Sequence, residues 1–366
     1  MAVLSIITDT KKKVLTICLI AGRKVSMGDN GLIFLQPVFK EMIWGGNRLA
    51  TEFGYDIPGD DTGECWGISA HPNGDCTIKN GEYAGMKLSQ LWSGHPEVFG
   101  KAKAEGVFPL LTKIIDAKAD LSIQVHPSDD YAKVHENGSL GKTECWYILD
   151  CPEGATLVVG HNAKDRAECA QMIHEGRWSE FIREVPVHKG DFVSIVPGTV
   201  HAIKAGVMLL ETQQNSDITY RVYDYDRLSN GKKRELHVEK SIDVINAPAS
   251  PAQDSIHNFA VVEKNKPVLM EKSAYYRVWK LVVDAGAMQS AEAVSDGGAS
   301  CPCSNSALSL SLAKDFEADY LLASVVGGEG TVNDVAVKKG DHFIIPKECD
   351  RLDFGGDMEL IVSAEV

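Results

Sequence analysis

Apolar and polar positions alternate with a period of two along most of this chain, in short runs broken by Gly and Pro. Such alternation predicts β-strands with at least one buried face. The clearest runs are residues 33–39, 121–126, 144–149, 156–159, 192–196, 208–213 and 219–223, with Gly154, Gly160, Gly190 and Pro197-Gly198 between them. Helical spacing is confined to 87–92, 95–106, 163–175 and 177–184, and either Asn162 or Asp165 caps the third of these. Many short strands with few helices predict a mostly β protein, a sandwich or barrel of the jelly-roll type.

A weak internal repeat splits that pattern in two. Val187-His188-Lys189-Gly190-Asp191 leads into an apolar run ending at Pro197, and Val337-Lys338-Lys339-Gly340-Asp341 leads into one ending at Pro346. The first continues to His201, whereas the equivalent place in the second is near Asp350 and no His follows. The second unit therefore keeps a scaffold without the imidazole. Residues 244–266, with Pro248 and Pro251, read as the connection.

Composition narrows the function. The 366 residues are 44% hydrophobic and 24% charged, with a formal net charge of −14. That balance suits a globular protein and argues against nucleic-acid or anionic-membrane partners. An anionic substrate needs a local basic site. Nine irregularly spaced Cys in a chain this long point to free thiols in a reducing compartment, hence a cytoplasmic location. Cys301-Pro302-Cys303 has no partner pair to complete a zinc site and reads as inert. Residues 1–26 read as a poorly ordered extension. Lys11-Lys12-Lys13 before an eight-residue apolar run mimics a leader, but Leu19 stands where a small residue is expected. No stretch is apolar and long enough for a transmembrane helix.

Two of the strands concentrate chemistry. Strand parity puts Ser122, Gln124 and His126 on one face, and Lys142, Glu144 and Trp146 on one face of the next run. His201 follows a Pro-Gly turn and starts another strand. Singly, each is as well read as a hydrogen-bonded core His or a solvated Glu. Together, Gln124, His126, Glu144 and His201 form a mixed nitrogen and oxygen set that suits zinc with an open position. Arg221, inside a Tyr/Val-rich strand, either pairs with Asp224 or Asp226 or faces the metal cavity to hold an anionic ligand. Lys142 is either a turn lysine in solvent or a second cation near the metal.

These blocks resemble a known family. The segments 121–127, 141–149, 197–203 and 213–227 are similar, in order and spacing, to signature blocks of the type I mannose-6-phosphate isomerases of the cupin superfamily, in their shorter bacterial branch. The segments 39–46 and 63–69 resemble its N-terminal region, and the likeness weakens after about residue 245. It implies two cupin-type jelly-roll units, with a few helices inserted in the first. The boundaries expected are an extension at 1–26, a catalytic zinc-binding domain at 27–246 and a C-terminal domain without metal ligands at 247–366. It also implies an aldose–ketose isomerase interconverting mannose 6-phosphate and fructose 6-phosphate through an enediol, with one zinc ion per chain. The family's metal positions fall on Gln124, His126, Glu144 and His201, and its catalytic arginine on Arg221. Lys142 is expected to act in phosphate binding or acid–base work, and Ser122 and Arg221 in substrate binding. The expected partner is a small sugar phosphate, and the chain is expected to be a monomer or homodimer. Cys145 and Ser128 depart from the family's usual residues, on positions that do not face the metal. The rival readings are another metal-dependent cupin enzyme, such as an iron dioxygenase or a different sugar-phosphate isomerase, and a non-catalytic sugar-binding bicupin.

Overall fold

The computed structural model describes residues 31–229, 231–286 and 308–366. The extension at 1–26 and the Cys301/Cys303 pair lie outside these residues. The described chain enters through β1 (Ile33–Gln36) and β2 (Val38–Gly46), turns through helix α1 (Arg48–Phe53) and returns along β3 (Thr62–Ile68). β4 (Thr77–Ile78) and helix α2 (Leu88–Gly94) lead to β5 (Leu110–Asp116) and β6 (Ile123–Val125). Helix α3 (Asp129–His135) then connects to β7 (Glu144–Asp150) and β8 (Thr156–His161).

Helix α4 (Arg166–His174) starts at Asp165, whose carboxylate accepts the Glu168 N–H at 2.9 Å, so of the two candidate caps Asp165 is the one used. The other two long helical expectations are corrected. Residues 95–106 give only a single turn of 3₁₀ helix, Pro96–Phe99, because Gly100 enters the left-handed region at φ 70° and ends it. Residues 177–184 give helix α5 (Trp178–Phe181) and then switch to β9 (Ile182–Pro186), where pairing with β8 overrides the helical spacing. The chain continues through β10 (Asp191–Ile195), β11 (His201–Ala202), β12 (Met208–Gln214) and β13 (Tyr220–Tyr223). A small hairpin of β14 (Leu228–Ser229) and β15 (Lys232–Lys233) precedes helix α6 (Val238–Val244).

The stretch read as a connection is partly ordered into the first unit. Its β16 (Ile256–Asn258) pairs with β10. The second unit follows as β17 (Val268–Lys272), β18 (Tyr276–Asp284), β19 (Leu308–Ser311), β20 (Leu321–Val332), β21 (Val335–Lys338), β22 (His342–Ile345) and β23 (Arg351–Glu365).

These strands form stacked layers. A seven-stranded sheet runs β16-β10-β7-β12-β5-β3-β2 and a five-stranded sheet runs β13-β6-β11-β8-β9. Trp146, Ile148, Leu157, Val159, Val193 and Leu209 fill the space between them, the arrangement of a jelly roll. On the far side of the five-stranded sheet, Ile123, Val125 and Val158 pack against Cys169, Met172 and Ile173 of α4. The seven-stranded sheet is covered on its other face by the second unit, through Cys145, Tyr147 and Leu210 against Tyr276, Val278 and Ile361. Both faces of β7 are therefore buried, one lining the site and the other bearing on the second unit.

The second unit's sheet takes in strands from the start of the chain. β1 pairs with β22 and β4 with β1, extending the row β17-β18-β23-β20-β22. The repeated corners match at the level of hydrogen bonds. The Asp191 carboxylate accepts the His188 N–H at 2.7 Å, and the Asp341 carboxylate accepts the Lys338 N–H at 2.9 Å. Gly190 (φ 87°) and Gly340 (φ 94°) make the same left-handed turn that only Gly adopts without strain.

Candidate metal centre

His126 follows β6, Glu144 opens β7 and His201 opens β11, so three strands of two facing sheets deliver their side chains to one point. One ligand atom from each lies within 4.8 Å of the others, and all three residues are buried. Register fixes this convergence. Gln124 is the direct cross-strand partner of His201 on one side and of Arg221 on the other, which sets all three on the inner face of the five-stranded sheet. Their neighbours Ile123, Tyr220 and Val222 point the opposite way into the apolar layer under α4. The alternation expected of Gln124 against Ile123 and Val125 holds, whereas Leu121, ahead of the strand, packs between the two sheets.

Both imidazoles are oriented from behind. His126 Nδ1 donates to the Ile218 carbonyl at 2.8 Å, and His201 Nδ1 donates to the Thr199 carbonyl at 2.9 Å. Each ring thus presents a bare Nε2 to the cluster, the tautomer a metal ligand needs. Burial lowers the pKa of His126 to about 3, with the Lys142 ammonium adding to the effect, and burial lowers His201 in the same direction. His126 Nε2 lies 3.4 Å and His201 Nε2 3.3 Å from the Glu144 carboxylate. The Gln124 terminal amide lies 3.2 Å from His201 Nε2.

Burial works against the charge on Glu144, yet Lys142, His126 and His201 outweigh it and hold its pKa well below the ordinary value. Both of its oxygens are buried with no hydrogen-bond partner, although Lys142 Nζ stands 2.7 Å from one as a counter-charge. An ionised carboxylate with orphaned oxygens between two neutral imidazole nitrogens fits a divalent cation. Among the described residues this is the one such cluster of His, Cys, Asp or Glu, and the second unit holds none.

Lys142 is not a solvent-facing turn lysine. It is buried, it pairs with Glu144, and its Nζ also lies 3.3 Å from His126 Nε2 and 3.5 Å from Glu211. Arg221 is half-buried, and the carboxylate the sequence offered it is taken. Asp224 is held by Arg227 at 2.6 Å and Arg234 at 2.5 Å, and Asp226 by Lys233 at 2.5 Å. Arg221 itself donates to the Glu235 carbonyl at 2.8 Å, and its Nε is buried without a partner. Burial, with Arg234 next, lowers its pKa. Ser122 is buried two residues before Gln124.

The comparisons with known proteins follow the same outline. Residues 32–164 match the catalytic domain of type I phosphomannose isomerases, and residues 306–365 match the cupin domain of mannose-6-phosphate isomerases. A mannose-6-phosphate isomerase of Bacillus subtilis is 46% identical over 336 residues, covering 90% of this chain and 98% of the relative. The chain belongs to the type I phosphomannose isomerase family.

A Streptococcus mutans member of that family, also a mannose-6-phosphate isomerase, is 44% identical over 90% of this chain and 97% of its own length. The crystal structure of a Bacillus subtilis mannose 6-phosphate isomerase superposes with a TM-score of 0.75 at 41% identity, covering 91% of this chain and 99% of that one. An Archaeoglobus fulgidus structure at 17% identity and TM-score 0.68 shares the fold. The expected membership of this isomerase family and its cupin fold are both borne out.

Sequence reasoning missed the second tier of this site. Lys113 in β5 precedes Ile114-Ile115 and Glu211 in β12 follows Met208-Leu209-Leu210, and a charge set against such apolar neighbours was the signal available. Glu211 Oε2 accepts the Trp146 indole N–H at 3.0 Å, and its other oxygen lies 3.0 Å from Lys113 Nζ. Cys145, the departure from the family pattern, points away from the metal face and packs against the Thr212 carbonyl.

Proposed function

We propose that the protein is a zinc-dependent aldose–ketose isomerase that interconverts D-mannose 6-phosphate and D-fructose 6-phosphate through an enediol. The observation that carries this reading is the cluster of His126, Glu144 and His201, with both Nε2 atoms bare and Lys142 and Arg221 on the same inner surface. His126, Glu144, His201 and the Gln124 amide would hold one zinc ion. Bound there, the ion supplies Lewis acidity to the sugar's carbonyl and hydroxyl oxygens.

The remaining roles belong to the chain's own groups. Arg221 stays protonated and brings an unneutralised guanidinium to the inner face, suited to an oxyanion or a phosphate and unsuited to act as a base. Arg221, Arg227 and Arg234 crowd around the single carboxylate of Asp224, a local positive excess in a chain of net charge −14. This supports a phosphate subsite at the β13 end of the site, with Ser122 nearby on the adjoining strand. Lys142 is enclosed by Glu144 and Glu211, a position better suited to holding or moving a proton at Nζ than to meeting a phosphate. An iron dioxygenase or a storage bicupin has no use for these two cations.

The test is a coupled assay of fructose 6-phosphate formation on purified protein, stripped with chelator and then restored with zinc. Turnover that vanishes and returns with zinc supports the reading. Turnover indifferent to the chelator, or none with zinc present, overturns it.

A further inference from the structure

The segment Gly141-Lys142-Thr143 enters the site outside regular structure, since β7 begins only at Glu144. All three residues are buried. Buried amides without a strand ladder need other partners, and here each one has its own. Gly141 N–H donates to Asp129 Oδ1 at 2.6 Å, Lys142 N–H to the Pro127 carbonyl at 3.1 Å, and Thr143 N–H to Gln214 Oε1 at 2.9 Å. Gln214 Nε2 then donates to the same Asp129 oxygen at 3.1 Å. One carboxylate oxygen at the start of α3 thus closes a ring through both ends of the segment. Gly141 allows the approach, because a Cβ there would run into the backbone of Ser128 and Asp129. The Tyr275 hydroxyl of the second unit faces this carboxylate too, its pKa pushed up to about 12 by burial and then by Asp129.

We infer that Asp129 and Gln214 are positioning residues: they lock segment 141–143 against α3 and so fix the point from which the Lys142 side chain enters the site. The inference rests on the isomerase reading above. Neither side chain is among the proposed metal ligands or the groups assigned to the sugar phosphate. Gln213 is the register partner of Glu144 and shares its face, so strand parity turns Gln214 the other way, towards α3. The bond from Gly141 to Asp129 is short and charge-assisted, which makes it the stiffest link of the ring. Without it the segment keeps its sequence and its burial but loses its anchor.

The experiment compares zinc-loaded wild-type protein with Asp129→Ala, Asp129→Asn and Gln214→Leu. Amide hydrogen exchange over residues 140–143, zinc content, and kcat and KM for mannose 6-phosphate are measured on each, with rates taken per folded, zinc-bearing molecule. Asp129→Ala and Gln214→Leu are expected to exchange these amides at least about 10-fold faster. Their kcat is expected to fall about 10-fold or more, with KM and zinc content near wild type, since a small misplacement of a working group is felt in the rate. Asp129→Asn keeps an acceptor oxygen for Gly141 and Gln214, and is expected to stay within about 3-fold of the wild type in both readouts. Unchanged exchange, or faster exchange with wild-type kcat, overturns the inference. So does an equal loss in Asp129→Asn and Asp129→Ala, which would assign the effect to charge. A wild-type protein that does not isomerise mannose 6-phosphate sinks the isomerase reading instead, and the exchange rates still decide whether the lock exists.

Discussion

Arg221 stands directly across the β6–β13 ladder from Gln124, so the guanidinium and the amide share one face of the sheet. Its potential carboxylate partner, Asp224, is held by Arg227 and Arg234. A half-buried cation left without an ion pair is positioned for a ligand's negative charge.

Arg221→Ala is therefore expected to lower kcat/KM for mannose 6-phosphate by about 100-fold, the effect of removing one donor from a developing charge. Zinc content is expected to stay at the wild-type level, because the guanidinium is not among the proposed ligands. Arg221→Lys does not restore activity, since a point charge on a flexible stem cannot reproduce the fork. Wild-type turnover in Arg221→Ala would remove this residue from the mechanism.

His201→Ala removes one of two oriented imidazoles, and zinc affinity is expected to fall by more than about 100-fold, beyond what loss of a supporting partner does. Titration with zinc against a competing chelator measures it. Zinc bound at the proposed site of the folded chain is expected to raise the thermal midpoint of the wild type and not of the variant. Equal shifts in both would place the ion elsewhere.

His342 sets a pH dependence at the junction of the two units. Its Nε2 donates to the Tyr55 hydroxyl at 2.9 Å, which itself donates to the Gly340 carbonyl, and its Nδ1 accepts from Ser324 at 2.8 Å. Burial lowers its pKa from 6.5 to about 4, with Lys79 adding to the effect. The unfolded chain therefore binds more protons between these values. The stability His342 contributes is complete above pH 6.5 and declines as the pH falls towards 4. The loss across that window is up to about 3 kcal/mol. Urea denaturation at pH 7 and pH 4.5 should show a smaller acid loss in His342→Gln than in the wild type, and parallel losses would refute the assignment.

Behind the metal strand, the Tyr147 hydroxyl donates to Glu359 at 2.8 Å and accepts from the buried Lys280 at 2.6 Å. Tyr147→Phe leaves these two charged groups short of a partner and is expected to destabilise the fold by about 1–3 kcal/mol. Activity per folded, zinc-bearing molecule is unchanged, because the ring faces away from Glu144. A kcat loss without a stability loss would contradict this.

Strand parity alone placed Gln124 with His126 and Lys142 with Glu144, because a period of two decides which face a side chain takes. The Pro-Gly turn marked the entry of His201, and the repeated Lys-Gly-Asp corner returned as the same hydrogen-bonded turn in both units. Three things were not legible. The helical spacing at 95–106 gave no weight to Gly100, which stops the turn at Phe99. The spacing at 177–184 was overridden by a partner strand more than twenty residues away, which local periodicity does not register. Lys113 and Glu211 are ninety-eight positions apart, and only the adjacency of β5 and β12 turns two isolated charges into a pair.

The exchange of strands between the two halves bears on how this protein can be cut. β1 and β4, from the beginning of the described chain, complete the sheet of the second unit, while β16, from the stretch after α6, completes the sheet of the first. A fragment ending near residue 246 would keep every proposed metal ligand, yet it would strip the cover from the back of β7 and leave β1 unpaired along one edge. The half without the His126, Glu144 and His201 cluster is thus the backing plate of the half that has it, and neither is expected to fold as a free-standing piece.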